Sequence, residues 1–419
     1  MSEAVARPDV EIPDPYAMPL EDVNPLNGVL FEHDAHWRYF ERLRNEDPVH
    51  FSEDEEFGRY WHVTKFKDIM EVDKNHEVFS SEAGITIGPP LNASPARLQT
   101  RSFFAMDPPT HDVQRATVSP VVQPINLAKL ESTIRERAGK IFDSLPVGET
   151  FNWVDLVSIE LTTQMLATLF DFPFEDRRKL TRWSDVATAA PGTLVDTEEE
   201  RRDELLECLE YFTRLWNERV NAPPSSDLIS MLAHGKETRD MDPMEFLGNL
   251  ILLIVGGNDT TRNSITGGVL ALNENPAEYD KLRADTALIP NMVSEIIRWQ
   301  TPLAYMRRTA NQDTVLGGKN IKAGDRILMW YVSGNRDEDA IDRPNDFIID
   351  RKRARQHVSF GFGIHRCMGN RLAEMQLRIV WEEIMKRFDK IEVVSEPVRV
   401  MSPFVKGYTE LMVRVHPKT

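Results

Sequence analysis

Residues Pro243 to about Asn273 read as one long helix, apolar nearly all round: Phe246, Leu247, Leu250 to Val255, Ile265, Val269 and Leu270. A helix without a polar face belongs in a core, so the rest of the chain must enclose it. Its middle, however, reads Gly256-Gly257-Asn258-Asp259-Thr260-Thr261. Two glycines cost about 2 kcal/mol against alanine by helix propensity. Asp259 brings an acid into a buried element, which is expensive unless the acid is paired or used. A helix that served packing alone would carry neither feature, so the stretch marks a site and not merely a kink.

His357 to Arg371, HVSFGFGIHRCMGNR, is the second informative stretch. It holds Cys367, one of 2 cysteines in 419 residues, crowded by Gly361, Gly363 and Gly369. Leu372, Met375, Ile379 and Val380 follow at helical spacing. The sulfur therefore precedes a helix N-terminus, whose free N–H groups and partial positive charge favour a thiolate. Such a thiolate can be a nucleophile, a redox sensor or a metal ligand. One thiolate does not make a zinc site, which usually needs four ligands. Cys208 and Cys367 are too few for a disulfide framework and suit a reducing cytoplasm.

Phe360, Gly361, Gly363, His365, Cys367 and Gly369 stand at the spacing of the haem-binding loop of the cytochrome P450 family, the haem-thiolate monooxygenases. Other segments resemble that family in the same order along the chain. The stretch Gly256 to Thr261 matches its oxygen-activation motif. Glu295-Ile296-Ile297-Arg298 matches its Glu-x-x-Arg, with Arg351 as the third member of a structural triad. The phrase MDPPTHDVQR resembles the segment whose histidine and arginine, here His111 and Arg115, hold a haem propionate. Arg308 stands where the family has a second propionate-binding arginine.

The resemblance implies a mainly α fold with small β-sheets. A haem b would be sandwiched between the long core helix and the helix after the cysteine loop. One P450 domain would span residues 1–419, residues 1–30 forming an irregular arm. Cys367 would ligate iron, with Gly256, Phe360, His365 and Gly369 around the cofactor. Asp259 and Thr260 are the candidate catalytic residues: Thr260 supplies a hydroxyl toward dioxygen and Asp259 relays protons from the surface. The implied reaction consumes dioxygen, two electrons and two protons and puts one oxygen atom into a C–H bond.

The chain has no flavin or nicotinamide motif, so electrons must come from a partner. Residues 351–378 hold seven Lys/Arg against one acid, Glu374, in a chain of net charge -17. This patch would steer an acidic ferredoxin, itself served by an NAD(P)H-dependent ferredoxin reductase. The net charge excludes nucleic acid as a general partner. No apolar run approaches the roughly 20 residues of a membrane span. The N-terminus lacks the apolar core of a signal peptide, so a cytoplasmic protein is expected.

His33 to Asn45 reads as an amphipathic helix, and Val49–Phe51 with Tyr60–Val63 as a hairpin. Phe79 to Arg101 has no clean period and reads as a long loop. In the family that loop roofs the substrate pocket, making Ile85, Ile87 and Leu91 pocket candidates. Leu303, Ala304 and Met306, and Phe404 and Val405 at a hairpin tip, would complete the lining. Pro191-Gly192 makes a mobile break between helices, and the resemblance implies that it is the lid over the pocket entrance. An apolar lining implies an apolar substrate. The phrases LILLIVGGNDTTRNSITGGVLALNENP and HVSFGFGIHRCMGNRLAEMQLRIVWEEI look like bacterial alkane and fatty-acid hydroxylases acting at the chain terminus, and Phe362 and Met368 depart from the commoner P450 pattern. Competing readings are a steroid, terpene or macrolide hydroxylase, a peroxide-driven or isomerising haem-thiolate enzyme, and a haem-binding sensor without turnover.

Overall fold

The apolar run folds into one unbroken helix, Pro243–Glu274, of 32 residues. The computed structural model describes residues 10–88, 98–189 and 193–418. Leu91 and Pro191-Gly192 lie outside them. The helix starts where sequence rules place it. Asp242 accepts from Met244 N and Glu245 N at 2.8 and 3.0 Å, and Pro243 occupies the first turn. The glycine pair does not interrupt the helix, which packs closely at Gly257. A Cβ on Gly257 would come 2.6 Å from Leu166 Cδ2, so the helix Glu160–Phe170 packs there at closest range.

Two apolar clusters sit on this core helix. One joins Ile265 and Val269 to Val293 and Ile296 of the helix Ile289–Gln300 and to Trp381 and Ile384 of the loop helix, Asn370–Arg387. The other joins Phe246, Leu250 and Ile254 to Leu166, to Trp183 of the helix Arg178–Thr188, and to Phe212.

The sheets are small and lie to the side. The largest has five strands in the order Val49–Asp54, Gly58–Val63, Arg326–Met329, Met306–Ala310, Phe79–Ser80. The expected hairpin is present, with Val49 opposite Val63, and runs further toward its acidic turn. A second hairpin, Val398–Arg399 with Tyr408–Glu410, carries Pro403 to Val405 at its end.

The N-terminal arm is less irregular than expected. It contains the short helix Gly28–Glu32, whose Leu30 and Phe31 are buried. The next helix starts at His36 and not at His33, because Asp34 takes a left-handed conformation (φ 55°) between them.

Candidate active site

The cysteine loop is shaped by contact with the helix Phe66–Lys74. Gly361 and Gly363 have φ of 62° and 68°, and a Cβ on Gly363 would stand 2.3 Å from Asp73 O. The loop closes through Cys367 N donating to Phe360 O at 2.8 Å. The half-buried Cys367 accepts from the N–H groups of Gly369 and Asn370. Burial nevertheless pushes its thiol up, against those donors and the charges of Arg115 and Arg366. The helix N-terminus alone thus does not make the thiolate; a cation on the sulfur would supply what is missing.

A buried ion-pair network supports this loop. Glu295, fully buried, accepts from Arg298 at 2.8 and 2.7 Å and from Arg351 at 3.0 and 3.2 Å. Burial pushes its carboxyl up, but the two arginines hold it below the usual range. Arg298 Nη1 then donates to Asn335 O at 2.9 Å. The Asn335 side chain donates to Ser359 Oγ and accepts from Val358 N, both at 2.8 Å. The triad therefore reaches the cysteine loop through Asn335, a link without any sequence signature.

A cavity of about 410 Å³ lies against the loop. The core helix contributes Gly256, Thr260 and Ser264, and the loop side Phe360, Cys367 and Gly369. A Cβ on Gly256 or Gly369 would meet nothing within 4 Å, so both positions back on open space that a flat group could fill. Polar atoms gather at and behind one edge, where His365 lines the cavity and His111 and Arg115 do not. His111 Nε2, Arg115 Nη1 and both ring nitrogens of His365 are buried without a partner among the described residues. The His111 and His365 rings are 4.4 Å apart. Each buried unsatisfied donor costs about 1–3 kcal/mol, so this edge calls for acceptors, and carboxylates suit it. A planar macrocycle with two carboxylates and a metal facing Cys367 fits all these features.

Arg308 also lines the cavity, but it has a second task. Its Nη2 donates to Asp73 Oδ1 at 3.0 Å. Asp73 is buried and also accepts from Tyr331 Oη at 2.8 Å and from Phe362 N at 2.9 Å. Burial pushes its carboxyl up, with Arg308 pulling it back. On the sequence Asp73 looks like an ordinary helix-surface acid, and no local signal separates it from its neighbours.

On the core helix, Asp259 is fully buried. Arg262 Nη2 bridges Asp259 Oδ1 at 3.0 Å and Asp185 Oδ1 at 2.5 Å. Asn258 Nδ2 donates to Asp259 at 3.1 Å. Burial raises the Asp259 pKa to about 6, against the pull of Arg262. Asp185 belongs to the helix Arg178–Thr188 and is 31% exposed, so the acid–base chain runs from the interior to the surface. Thr260 Oγ1 donates to Gly256 O at 2.8 Å and must leave that bond to donate into the cavity.

Ile85, Leu303, Met306 and Phe404 line the cavity as expected. Ile87, Ala304 and Val405 are not among its lining. Ile87 packs against the cluster around Tyr305, and Ala304 and Val405 are buried behind the wall, where Ala304 N donates to Phe404 O at 2.9 Å. Nothing in the sequence signals the contribution of Met165, Leu166 and Leu169 from the helix Glu160–Phe170. Of the seven cationic residues in 351–378, Arg351 is buried in the triad and Arg378 is paired with Glu131 and Glu382. Lys352, Arg353, Arg355, Arg366 and Arg371 are exposed.

A family model described as Cytochrome P450 matches residues 164–407. The chain belongs to the cytochrome P450 family. Linalool 8-monooxygenase of Pseudomonas putida is 34% identical over 427 residues, covering 98% of this P450 and 100% of that protein. Methyl-branched lipid omega-hydroxylase of Mycobacterium tuberculosis is 31% identical, covering 95% and 96%. The structure of cytochrome P450-153 from Novosphingobium aromaticivorans superposes with a TM-score of 0.89 at 46% identity, covering 94% and 99%. This P450 is therefore a haem b protein and an oxygen-dependent hydroxylase fed by a redox partner. Among the described residues no helix is long and apolar enough to cross a membrane.

Proposed function

We propose that this P450 hydroxylates the terminal methyl of a medium-length alkyl chain, with an alkane preferred over the corresponding fatty acid. The cavity wall carries the reading. Among the described residues its only Lys or Arg is Arg308, already bonded to Asp73. A carboxylate entering that space would lose its hydration with no free cation to receive it, a cost of several kcal/mol. A hydrocarbon gains roughly 0.8 kcal/mol per buried CH₂. A fatty acid can be accepted only with its head group left at the cavity mouth. The omega-hydroxylase relative, by its name, oxidises a chain end, which supports the regiochemistry. The linalool monooxygenase relative keeps a terpene substrate as the second reading.

Bound haem supplies dioxygen activation and oxygen insertion, and thiolate ligation favours O–O cleavage. In our reading Cys367 ligates the iron, while His111, Arg115, His365 and Arg308 hold the propionates. Thr260 turns its hydroxyl into the cavity. Asp259 would return protons to it, while Arg262 holds the Asp259 carboxyl toward Asp185 and the surface. The apolar wall excludes water from the reacting end.

Electrons come, in this reading, from an acidic ferredoxin and its NAD(P)H-dependent reductase. A polar depression of about 290 Å³ lined by Arg355, His357, Arg366 and Arg371 lies beside the cysteine loop and offers such a partner a cationic face. Two free cysteines, Cys208 buried and Cys367 in the loop, accord with a cytoplasmic location.

Product analysis after turnover with dodecane and with lauric acid tests the substrate. Terminal alcohol from dodecane, at higher coupling than from lauric acid, is expected. Oxidation at interior carbons alone would reject the terminal assignment.

A further inference from the structure

The strand Met306–Ala310 and the residues leading into it present alternate faces. Met306 and Arg308 line the cavity. Tyr305 and Arg307, between and before them, reach back to residues 83–87, which form neither helix nor strand. Arg307 Nε donates to Gly84 O at 3.1 Å, and its Nη2 donates to Ala83 O. Its backbone N–H donates to Ile85 O at 2.7 Å. The Tyr305 hydroxyl accepts from Ile87 N at 3.2 Å. Both side chains are buried, at 2% and 7% exposure. The Tyr305 ring also packs 5.5 Å from that of Phe404, so it backs the hairpin tip as well.

These bonds fall just behind Ile85 and Thr86, which face the cavity together with Leu303, Met306 and Phe404. This irregular backbone has one main-chain bond to the strand, Arg307 N to Ile85 O, and the side-chain bonds add depth and direction on either side of it. A guanidinium fork on two successive carbonyls defines both distance and direction, which a single ammonium does not. Gly84 sits at φ 103°, and a Cβ there would come 3.2 Å from Arg307 Nη2, so the fork is closely fitted.

We propose that Tyr305 and Arg307 are specificity-determining positioning residues. They hold the wall of Ile85, Thr86 and Phe404 at a depth that admits the end of a linear chain and refuses a bulky ring. The inference rests on the linear-chain reading of the proposed function: a wild type that favours clotrimazole would overturn that reading, whereas variants that keep the linear preference would overturn this inference alone. Loss of either pin lets the wall recede without altering the haem site.

The test uses the haem-loaded enzyme and its Tyr305→Phe and Arg307→Lys variants. Two azoles whose nitrogen binds haem iron serve as probes, linear dodecylimidazole and the triaryl clotrimazole, titrated by the shift of the haem absorption band. The wild type is expected to favour the linear probe. Each variant should reduce that preference about tenfold, equivalent to about 1.4 kcal/mol. Hydrogen exchange in residues 81–88 should quicken, with the carbon monoxide spectrum unchanged. A conserved preference, unchanged exchange, or a wild type that favours clotrimazole would overturn the proposal. Tyr305→Phe loses a single hydroxyl, so the test stands even if Arg307→Lys misfolds.

Discussion

At the scale of single residues, the chemistry rests on buried polar groups whose partners are few and named. Glu295 is the sharpest case. Replacing it by Gln leaves Arg298 and Arg351 charged and uncompensated in the interior, which costs about 3–5 kcal/mol. Denaturant unfolding should show that loss. A change below about 1 kcal/mol, as for an exposed pair, would mean that the network contributes little. Asp259 makes a prediction in pH. Burial raises its pKa from the ordinary carboxylate value to about 6, so the folded protein keeps this proton where the unfolded chain has lost it. Its stabilising contribution is full below the unfolded value and lost as pH rises through about 6. The protonated form able to feed Thr260 declines over the same range. Coupled product formation should therefore fall as pH rises through about 6 in the wild type, and Asp259→Asn should remove that dependence. Thr260→Ala should spend reductant without product, and full coupling would favour a peroxide-driven route. Asp73, Tyr331 and Asn335 were invisible at this scale in the sequence. Their roles follow from tertiary burial and from partners far away along the chain, and no local spacing encodes either.

At the scale of elements, the core helix shows what adjacent glycines do. They appeared together as a break, but they serve two different neighbours. Gly257 lets Leu166 approach, whereas Gly256 faces open cavity. Gly257→Ala should cost about 1–3 kcal/mol by overpacking. Gly256→Ala should leave stability equal or raise it by up to about 1 kcal/mol from helix propensity, yet lower haem content or turnover. Equal thermal midpoints with equal activities would contradict this division. The long helix, the cysteine loop and the Glu-x-x-Arg helix were legible because each is a continuous stretch whose pattern is set by its own residues. The pocket wall was only half legible. Ile85 and Ile87 look alike in sequence, but the segment is irregular, so alternation cannot tell which one faces the cavity. The apolar face of the helix Glu160–Phe170 serves both core and cavity, and its sequence does not separate the two.

At the scale of the molecule, an acidic chain exposes a basic face at its cysteine loop. Lys352, Arg353, Arg355, Arg366 and Arg371 are exposed there, while Arg351 and Arg378 serve internal pairs. Attraction between exposed charges is screened over about 10 Å at 0.1 M salt. Reversing Arg353 and Arg355 should therefore slow reduction by ferredoxin at low salt and matter little at high salt. Equal rates at low salt would remove this face as the docking surface. In the proposed function the Cys367 sulfur would ligate haem iron beside this face. The direct measurement is the absorption spectrum of the reduced protein under carbon monoxide, for wild type and for Cys367→Ser. A red-shifted Soret band of thiolate ligation in the wild type, absent from the variant, is the predicted result. Its absence from the wild type, or its survival in the variant, would contradict the account.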